Sequence, residues 1–501
     1  MITTILWLIC CNMTLLYMFS IWNFGYWKKR RVNGPKPRPF LGSFPSVFTQ
    51  KRHIAMDIQE IYEAYKCTDN YVGIYNCRTP LLMITDAELI HHILVKDFKH
   101  FHDNEISTMA DEKSDYIYGN HPLALTGDDW YERRSDIKPG LALPRMKLSF
   151  SVISKISHNL VEYIEKQQTY GDQEGIDALD LSLRFISEVV GDCILGQRVE
   201  IFTQKTHPAV KNAKQLSKQS FIFVIYMILV GLAPSLKKIK KFRFLSRSLE
   251  KFFIGQIRNA FKEKTGNGPI GNCNDFLSYL RQLQKKKGLR EDEVLTHATT
   301  VLLDSYMSIP AVLAHCLLML GRDSLRQHAL RSEITKKLGE VIDIDVIAKM
   351  DYLDACIYET IRVFPPTSFM TKVCTKSTEL TNKNGQILKI AVGTPVILPI
   401  HAVLNDGQYY ENPTKFQPER FLQGKLQKFR ETGLYLAFGD GPRACFGEHF
   451  ALIQIKRALI EVIRSYEVSI NPKTRSDNIF NPMTMLSQLN GGIWLNFKKQ
   501  S

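Results

Sequence analysis

One of the ten cysteines of this chain, Cys445, stands where a thiolate could hold a metal ion. It lies in the run Phe438-Gly439-Asp440-Gly441-Pro442-Arg443-Ala444-Cys445-Phe446-Gly447. A thiolate ligand has to be kept from protonation and oxidation. Glycines at 439, 441 and 447 let the backbone turn tightly around a sulfur. The N–H groups of such a turn can point at the sulfur and tune its electron donation. Phe438 can keep water away, and Arg443 offers a cation to an anionic group of a cofactor. The plainer alternative is a glycine-rich turn around a buried cysteine. The other nine cysteines, at 10, 11, 67, 77, 193, 273, 316, 356 and 374, form no C-x-x-C pair. They read as small buried or lipid-facing residues, and their scatter suits a reducing compartment.

Three further constellations occur in the chain: Trp130-x-x-x-Arg134, Glu359-Thr360-Ile361-Arg362 with Phe364-Pro365-Pro366 behind it, and Phe416-Gln417-Pro418-Glu419-Arg420-Phe421. The E-x-x-R spacing by itself carries little, since any exposed helix face yields it. The order and spacing of the whole set carry more. The cysteine run resembles the haem-binding loop of the cytochrome P450 family, F-x-x-G-x-R-x-C-x-G, at every fixed position. The resemblance extends over essentially the whole chain, and its wording around Glu359 and Glu419 is closest to insect microsomal members.

That resemblance implies haem b as cofactor, with Cys445 as the iron ligand and Phe438 and Gly447 shaping its loop. It implies that Trp130, Arg134 and Arg443 reach the haem propionates. Lys372 stands where many relatives carry a propionate-binding arginine, keeping the charge and losing the fork. His449 replaces another common arginine. Glu359, Arg362 and Arg420 are implied as a buried triad that braces the loop behind Cys445, costly to form and costly to break.

One segment departs from the family. The helix expected on the oxygen side usually reads A-G-x-[DE]-T, an acid beside a threonine that deliver protons. Here the text is Leu303-Asp304-Ser305-Tyr306-Met307-Ser308-Ile309-Pro310. Counting back from Leu320 and Leu330 puts Met307 at the acid position and Ser308 at the threonine position. A second register makes Asp304-Ser305 the acid–hydroxyl pair and needs a shift of nearly one turn, for which Pro310 offers a place of distortion. The first register is preferred. Ser308 and Asp304 are the candidate catalytic residues.

The elements that must position these groups are mostly helical. Helical spacing marks Gln59 to Lys66, Leu148 to Gln168, Leu179 to Leu195 and Arg290 to Leu320. Tyr71 to Tyr75 and Leu81 to Thr85 read as short strands, with Asp86 capping the next helix. Leu380 to Leu398 alternates around Asn384-Gly385 as a hairpin. The expected fold is mostly α with a small β portion, a cytochrome P450-like fold preceded by an N-terminal transmembrane helix.

Ile2 to Trp27 carries no charged side chain and is long enough to cross a bilayer. No clean small-x-small cleavage site follows, so a retained anchor is preferred over a signal peptide. Lys28, Lys29, Arg30 and Arg31 come next and place the body on the cytosolic side. Gly34-Pro35-Lys36-Pro37-Arg38-Pro39 suggests a stiff spacer holding the domain off the bilayer. The expected organisation is an anchor over 1–27, a basic and proline-rich hinge over 28–45, and a catalytic domain over 46–501. A second apolar run, Phe221 to Ala233, is too short to span. It is either a buried helix or an interfacial one, with Lys237, Lys238, Lys240, Lys241 and Arg243 facing headgroups.

The net charge of +15 calls for an anionic partner. The chain has no nucleic-acid signature, so membrane lipid is the expected one. The resemblance implies a monooxygenase of the endoplasmic reticulum membrane, inserting one oxygen atom from O2 into a lipophilic small molecule. No flavin or nicotinamide fingerprint is present, so electrons come from elsewhere, and the resemblance implies a membrane-bound NADPH-dependent reductase as their source. Lys425, Lys428, Arg430, Lys456 and Arg457 could attract its acidic face. Two alternatives stand: a haem-thiolate isomerase or dehydratase that needs no O2, and a non-catalytic haem protein.

Overall fold

The computed structural model describes residues 1–170, 175–204, 206–265, 274–339 and 342–500. Cys273 and Ser501 lie outside them. The longest helix, Glu291–Arg322, runs through the middle of the body. At 1.5 Å per residue it is about 48 Å long. Its N-terminus is tied by the Glu293 carboxylate, which accepts the Arg290 N–H at 2.8 Å. Most of its side chains from Val294 to Leu320 are buried, and Pro310 lies within it without breaking it. Helices Ala178–Val189, Asp351–Val363 and Glu448–Ser465 and strand Tyr466–Ile470 pack around it. The expected helices are present, each with its ends moved by a few residues. Ala178–Val189 continues as a π turn to Leu195.

The main sheet has five strands. Tyr71–Asn76 pairs antiparallel with Thr79–Ile84, which pairs parallel with Pro395–Leu398. Met370–Val373 follows antiparallel, and the two-residue strand Asp103–Asn104 closes the edge. Its register sets Asn104 opposite Lys372. A second sheet joins Ile176–Asp177, Trp494–Lys499 and Tyr466–Ile470. Asp86 caps the helix Ala87–Leu94 by accepting the Leu89 N–H at 2.8 Å.

The alternating run from Leu380 to Leu398 does not form a single hairpin. Thr378–Thr381 pairs with Ile387–Ile390 around Gly385, but Pro395–Leu398 leaves to join the main sheet. Alternation marks a strand without naming its neighbour, so the two partners could not be told apart.

The apolar N-terminal helix covers Ile2–Ile21 and is exposed except at buried Ser20 and half-buried Ile21. It ends short of the Trp27 boundary. Trp27 is buried in the globular core, its indole N–H donating to the Ile74 carbonyl at 3.1 Å. The proline-rich stretch is not a free spacer either. Gly73 N–H donates to Asn33 O and Ser43 N–H to Tyr75 O, both at 2.8 Å. A Cβ on Gly34 would overlap the Gly73 carbonyl, so this pair of glycines lets the two backbones touch. The hinge lies along the edge strand.

Helix Phe221–Leu232 answers the two readings of that run in halves. Val224, Tyr226 and Val230 are buried, whereas Phe221, Ile222, Ile225 and Leu229 are exposed. It adjoins the N-terminal helix: the Arg78 guanidinium lies 3.9 Å from the Phe19 ring centroid, and its Nε donates to Leu232 O. Of the basic cluster behind it, three members are tied inward. Lys237 pairs with Glu105, Lys241 donates to Thr108 O, and Arg243 pairs with Glu250.

Candidate active site

Cys445 sits between a short turn, Gly441–Arg443, and the N-terminus of helix Glu448–Ser465. Its N–H donates to Phe438 O at 2.8 Å and closes the loop. Gly439 and Gly441 take φ of +74° and +64°, which side-chain-bearing residues adopt only with strain. Cys445 is accessible, yet crowded by protein. Burial pushes its thiol up to about 11; the Gly447 N–H and Arg134 act against this, while Asp304 and Glu448 add to it. The following helix turns its positive end towards the sulfur, a setting that favours thiolate. A bound metal deprotonates such a thiol outright.

Behind the loop, Glu359 and Arg362 are fully buried and 2.8 Å apart, and Arg420 reaches Glu359 at 2.9 Å. Arg362 also donates to the carbonyls of Leu404 and Pro413. Glu359 in addition accepts the Gln417 N–H. The triad touches the loop through Tyr358, whose carbonyl accepts the Tyr435 hydroxyl and whose ring stands edge-on to Phe438.

On one flank of Cys445 the basic residues gather. The Arg443 guanidinium lies 4.2 Å from the Trp130 ring centroid and donates to Pro122 O at 2.8 Å and Leu125 O at 3.0 Å. The Arg134 guanidinium lies 5.3 Å from the Phe446 ring centroid. Buried Lys372 donates to Asn104 Oδ1 at 2.9 Å. Burial and nearby Arg443 push Lys372 down to about 7, and burial, opposed by Asp103, pushes Arg443 down to about 10. Arg443 Nε is buried with no hydrogen-bond partner among the described residues. Two of these basic side chains, Arg443 and Lys372, thus share one nearby carboxylate, Asp103, which His102 also holds at 2.6 Å. Such a set is short of anions, and the two propionates of a haem would fit it.

On the long helix, Asp304, Met307 and Ser308 are partly accessible, as i, i+3, i+4 residues on one face. Ser305 is buried and donates to Val301 O, turned away from that face. Ser308 Oγ donates to Asp304 O at 3.0 Å. Met307 Sδ accepts the Tyr118 hydroxyl at 3.5 Å. Asp304 Oδ1 lies 3.1 Å from His121 Nε2. Between Val294 and Gly321, Asp304 is the only Asp, Glu, Lys or Arg.

Sequence reasoning expects the loop Phe101 to Leu125 to line the pocket but does not single out Asp103, Asn104, Tyr118 or His121 in it. No motif holds them, and 183 positions separate His121 from Asp304. It also mistakes three basic residues for surface charge. Lys456 is buried on Asp354 at 2.6 Å, Arg457 is buried on Glu461, and Arg430 is paired with Glu448. Helical spacing does not reveal which cation has an acid within reach. Lys425 and Lys428 are exposed on helix Lys425–Glu431, and His449 is exposed.

A cysteine loop braced by a buried ion-pair triad and flanked by an anion-seeking basic cluster defines a haem-thiolate protein. The sequence profile of the cytochrome P450 family matches residues 32–497, and the chain belongs to that family. It is similar to "Probable cytochrome P450 28d1" of Drosophila melanogaster, 42% identical over all of this chain and 99% of the relative. It is 43% identical to "Probable cytochrome P450 28d2" of the same fly, over 99% of each chain. "Cytochrome P450 6j1" of Blattella germanica is 29% identical, over 97% of this chain and 95% of the relative. As a cytochrome P450 the chain is a haem-b oxidoreductase of the monooxygenase class.

Proposed function

We propose that this chain inserts one atom of O2 into a lipophilic small molecule, with electrons passed from NADPH by a separate membrane-bound reductase. One observation carries the reading. Cys445 lies within electrostatic reach of Asp304, the single charged residue between Val294 and Gly321 of the long helix. In this reading Cys445 is the iron ligand, in the loop shaped by Phe438 and Gly447, and Trp130, Arg134, Lys372 and Arg443 hold the propionates. When bound, haem supplies oxygen binding and the oxidation itself, and electron density from the thiolate favours O–O cleavage. Ser308 Oγ orients a water, and the Asp304 carboxylate holds the proton that Met307 cannot carry. Lys425 and Lys428 offer the reductase an exposed basic face.

The anchor is the helix Ile2–Ile21, with the exposed face of Phe221–Leu232 dipping beside it into lipid. Lys28 to Arg31 support an endoplasmic reticulum protein with its catalytic body towards the cytosol. A second reading, rearrangement of an oxidised lipid without O2, is favoured by the thioether of Met307 at the acid position.

Reconstitution with reductase, NADPH and ¹⁸O2 tests the choice. Labelled product supports oxygen insertion, whereas turnover of a lipid hydroperoxide with no O2 uptake supports the second reading. Cys445→Ala is expected to abolish the red-shifted absorption of the reduced carbonyl form. Its persistence in that variant would overturn the ligand assignment.

A further inference from the structure

We propose, building on the reading of Asp304 given above, that His121 is its positioning residue. His121 commits one carboxylate oxygen to the protein and leaves the other to handle protons. The imidazole is buried, and its two nitrogens have distinct partners. Nδ1 accepts the Leu123 N–H at 3.2 Å, so its lone pair is in use and the ring proton sits on Nε2. Nε2 lies 3.1 Å from Asp304 Oδ1 and donates to it. Asp304 Oδ2 has no hydrogen bond to protein among the described residues.

The segment that carries His121 is held on both sides. Leu123 O accepts the Asn104 side-chain amide at 3.1 Å, and Asn104 Oδ1 accepts from Lys372 at 2.9 Å. Arg443 grips the carbonyls of Pro122 and Leu125. An unbroken chain of hydrogen bonds thus runs from Lys372 through Asn104, Leu123 and His121 to Asp304. The groups assigned to the propionates and the carboxylate on the oxygen side are fixed by one loop.

A purely structural tie would bury both partners. Here the His121 side chain is 5% exposed and that of Asp304 is 47%. The imidazole is sunk in the protein, and the carboxylate stays open. Three residues further along the same face, Met307 is occupied by the Tyr118 hydroxyl and offers no acid.

The test uses the full-length holoenzyme with its reductase. Asp304→Asn is expected to lower product formed per NADPH about tenfold, and His121→Phe by a similar factor. His121→Gln, which returns an N–H at similar reach, is expected to recover the wild-type ratio to within about twofold, since the hydrogen bond is the function. The KM for substrate stays unchanged in all three. Independently of turnover, ¹⁵N NMR of the histidine-labelled ferrous carbonyl form is expected to place the His121 proton on Nε2. Asp304→Asn should shift that signal and leave Nδ1 in place.

An unchanged ratio in Asp304→Asn overturns the reading of Asp304 itself. A lowered ratio there, with none in His121→Phe, overturns only the role of His121. A proton on Nδ1 overturns it too. Should His121→Phe fail to bind haem, His121→Gln and the NMR signal decide: a ratio in the glutamine variant as low as in Asp304→Asn counts against the proposal.

Discussion

Gly441 is pressed against Leu94: a β-carbon on the glycine would overlap the leucine's carbonyl oxygen. The C-terminal end of helix Ala87–Leu94 therefore forms the outer wall of the cysteine loop. His91 adds to the same wall, its Nδ1 lying 2.6 Å from Asp440 Oδ2.

Gly441→Ala meets both a φ of +64° and this backbone contact. The expected cost is about 1–3 kcal/mol, seen as a lower Tm and a smaller fraction of protein giving the thiolate carbonyl spectrum. Gly424→Ala is the control, with φ of +74° and open space around it. It should cost about 1 kcal/mol and keep haem. Equal behaviour of the two variants would refute a role for the Leu94 contact.

Glu359→Gln leaves Arg362 and Arg420 facing a neutral amide in a buried site. Breaking one partner of such a set costs about 3–5 kcal/mol. Unfolding of the purified chain in urea should show this as a lower midpoint, with loss of haem on storage. A midpoint equal to wild type would mean that the triad does not brace the loop.

Buried imidazoles set an acid limit. Burial pushes His53 and His401 down to about 4 and His315 down to about 3, from 6.5 in the unfolded chain. Below pH 6.5 the unfolded chain takes up protons that the fold refuses, so stability is full above that pH and falls as pH drops towards 4. Each group can contribute up to about 3 kcal/mol of loss. His315 Nε2 has no partner among the described residues, and its ring stacks on Phe364 at 4.5 Å. His315→Phe should flatten the fall between pH 6.5 and 4, measured by denaturation at several pH values; an unchanged slope would exclude this source.

Removal of residues 2–21 is expected to leave part of the chain on microsomes, held by the exposed Phe221, Ile222, Ile225 and Leu229. Changing Phe221 and Ile222 to serine as well removes about 1.5–3 kcal/mol of apolar transfer each and should release most of it. Sedimentation with vesicles measures both. Complete release by the deletion alone would rule out the second contact.

Much of this arrangement is legible in the sequence because it is local. The loop around Cys445 and the Glu359–Arg362 spacing are contiguous text, and helical periodicity marks Glu291–Arg322 within a few residues. What the sequence conceals is who faces whom. Alternation over Leu380 to Leu398 cannot say that Pro395–Leu398 joins another sheet. The basic character of Lys456 cannot say that Asp354 waits beside it. His121 carries no sign of Asp304, since only the loop held by Arg443 and Asn104 brings them together. Proline alternation over 35–39 reads as a spacer because Gly34 and Gly73, far apart in the chain, reveal their contact only when folded.

That last contact ties the segment after the N-terminal helix to the body. With Trp27 seated under strand Tyr71–Asn76 and the backbone after it zipped to the same strand, the connection is a strut and not a swivel. Arg78 adds a second fastening higher up, at Phe19. The first thirty residues are thus fastened to the body at two places, Trp27 on the edge strand and Phe19 on Arg78.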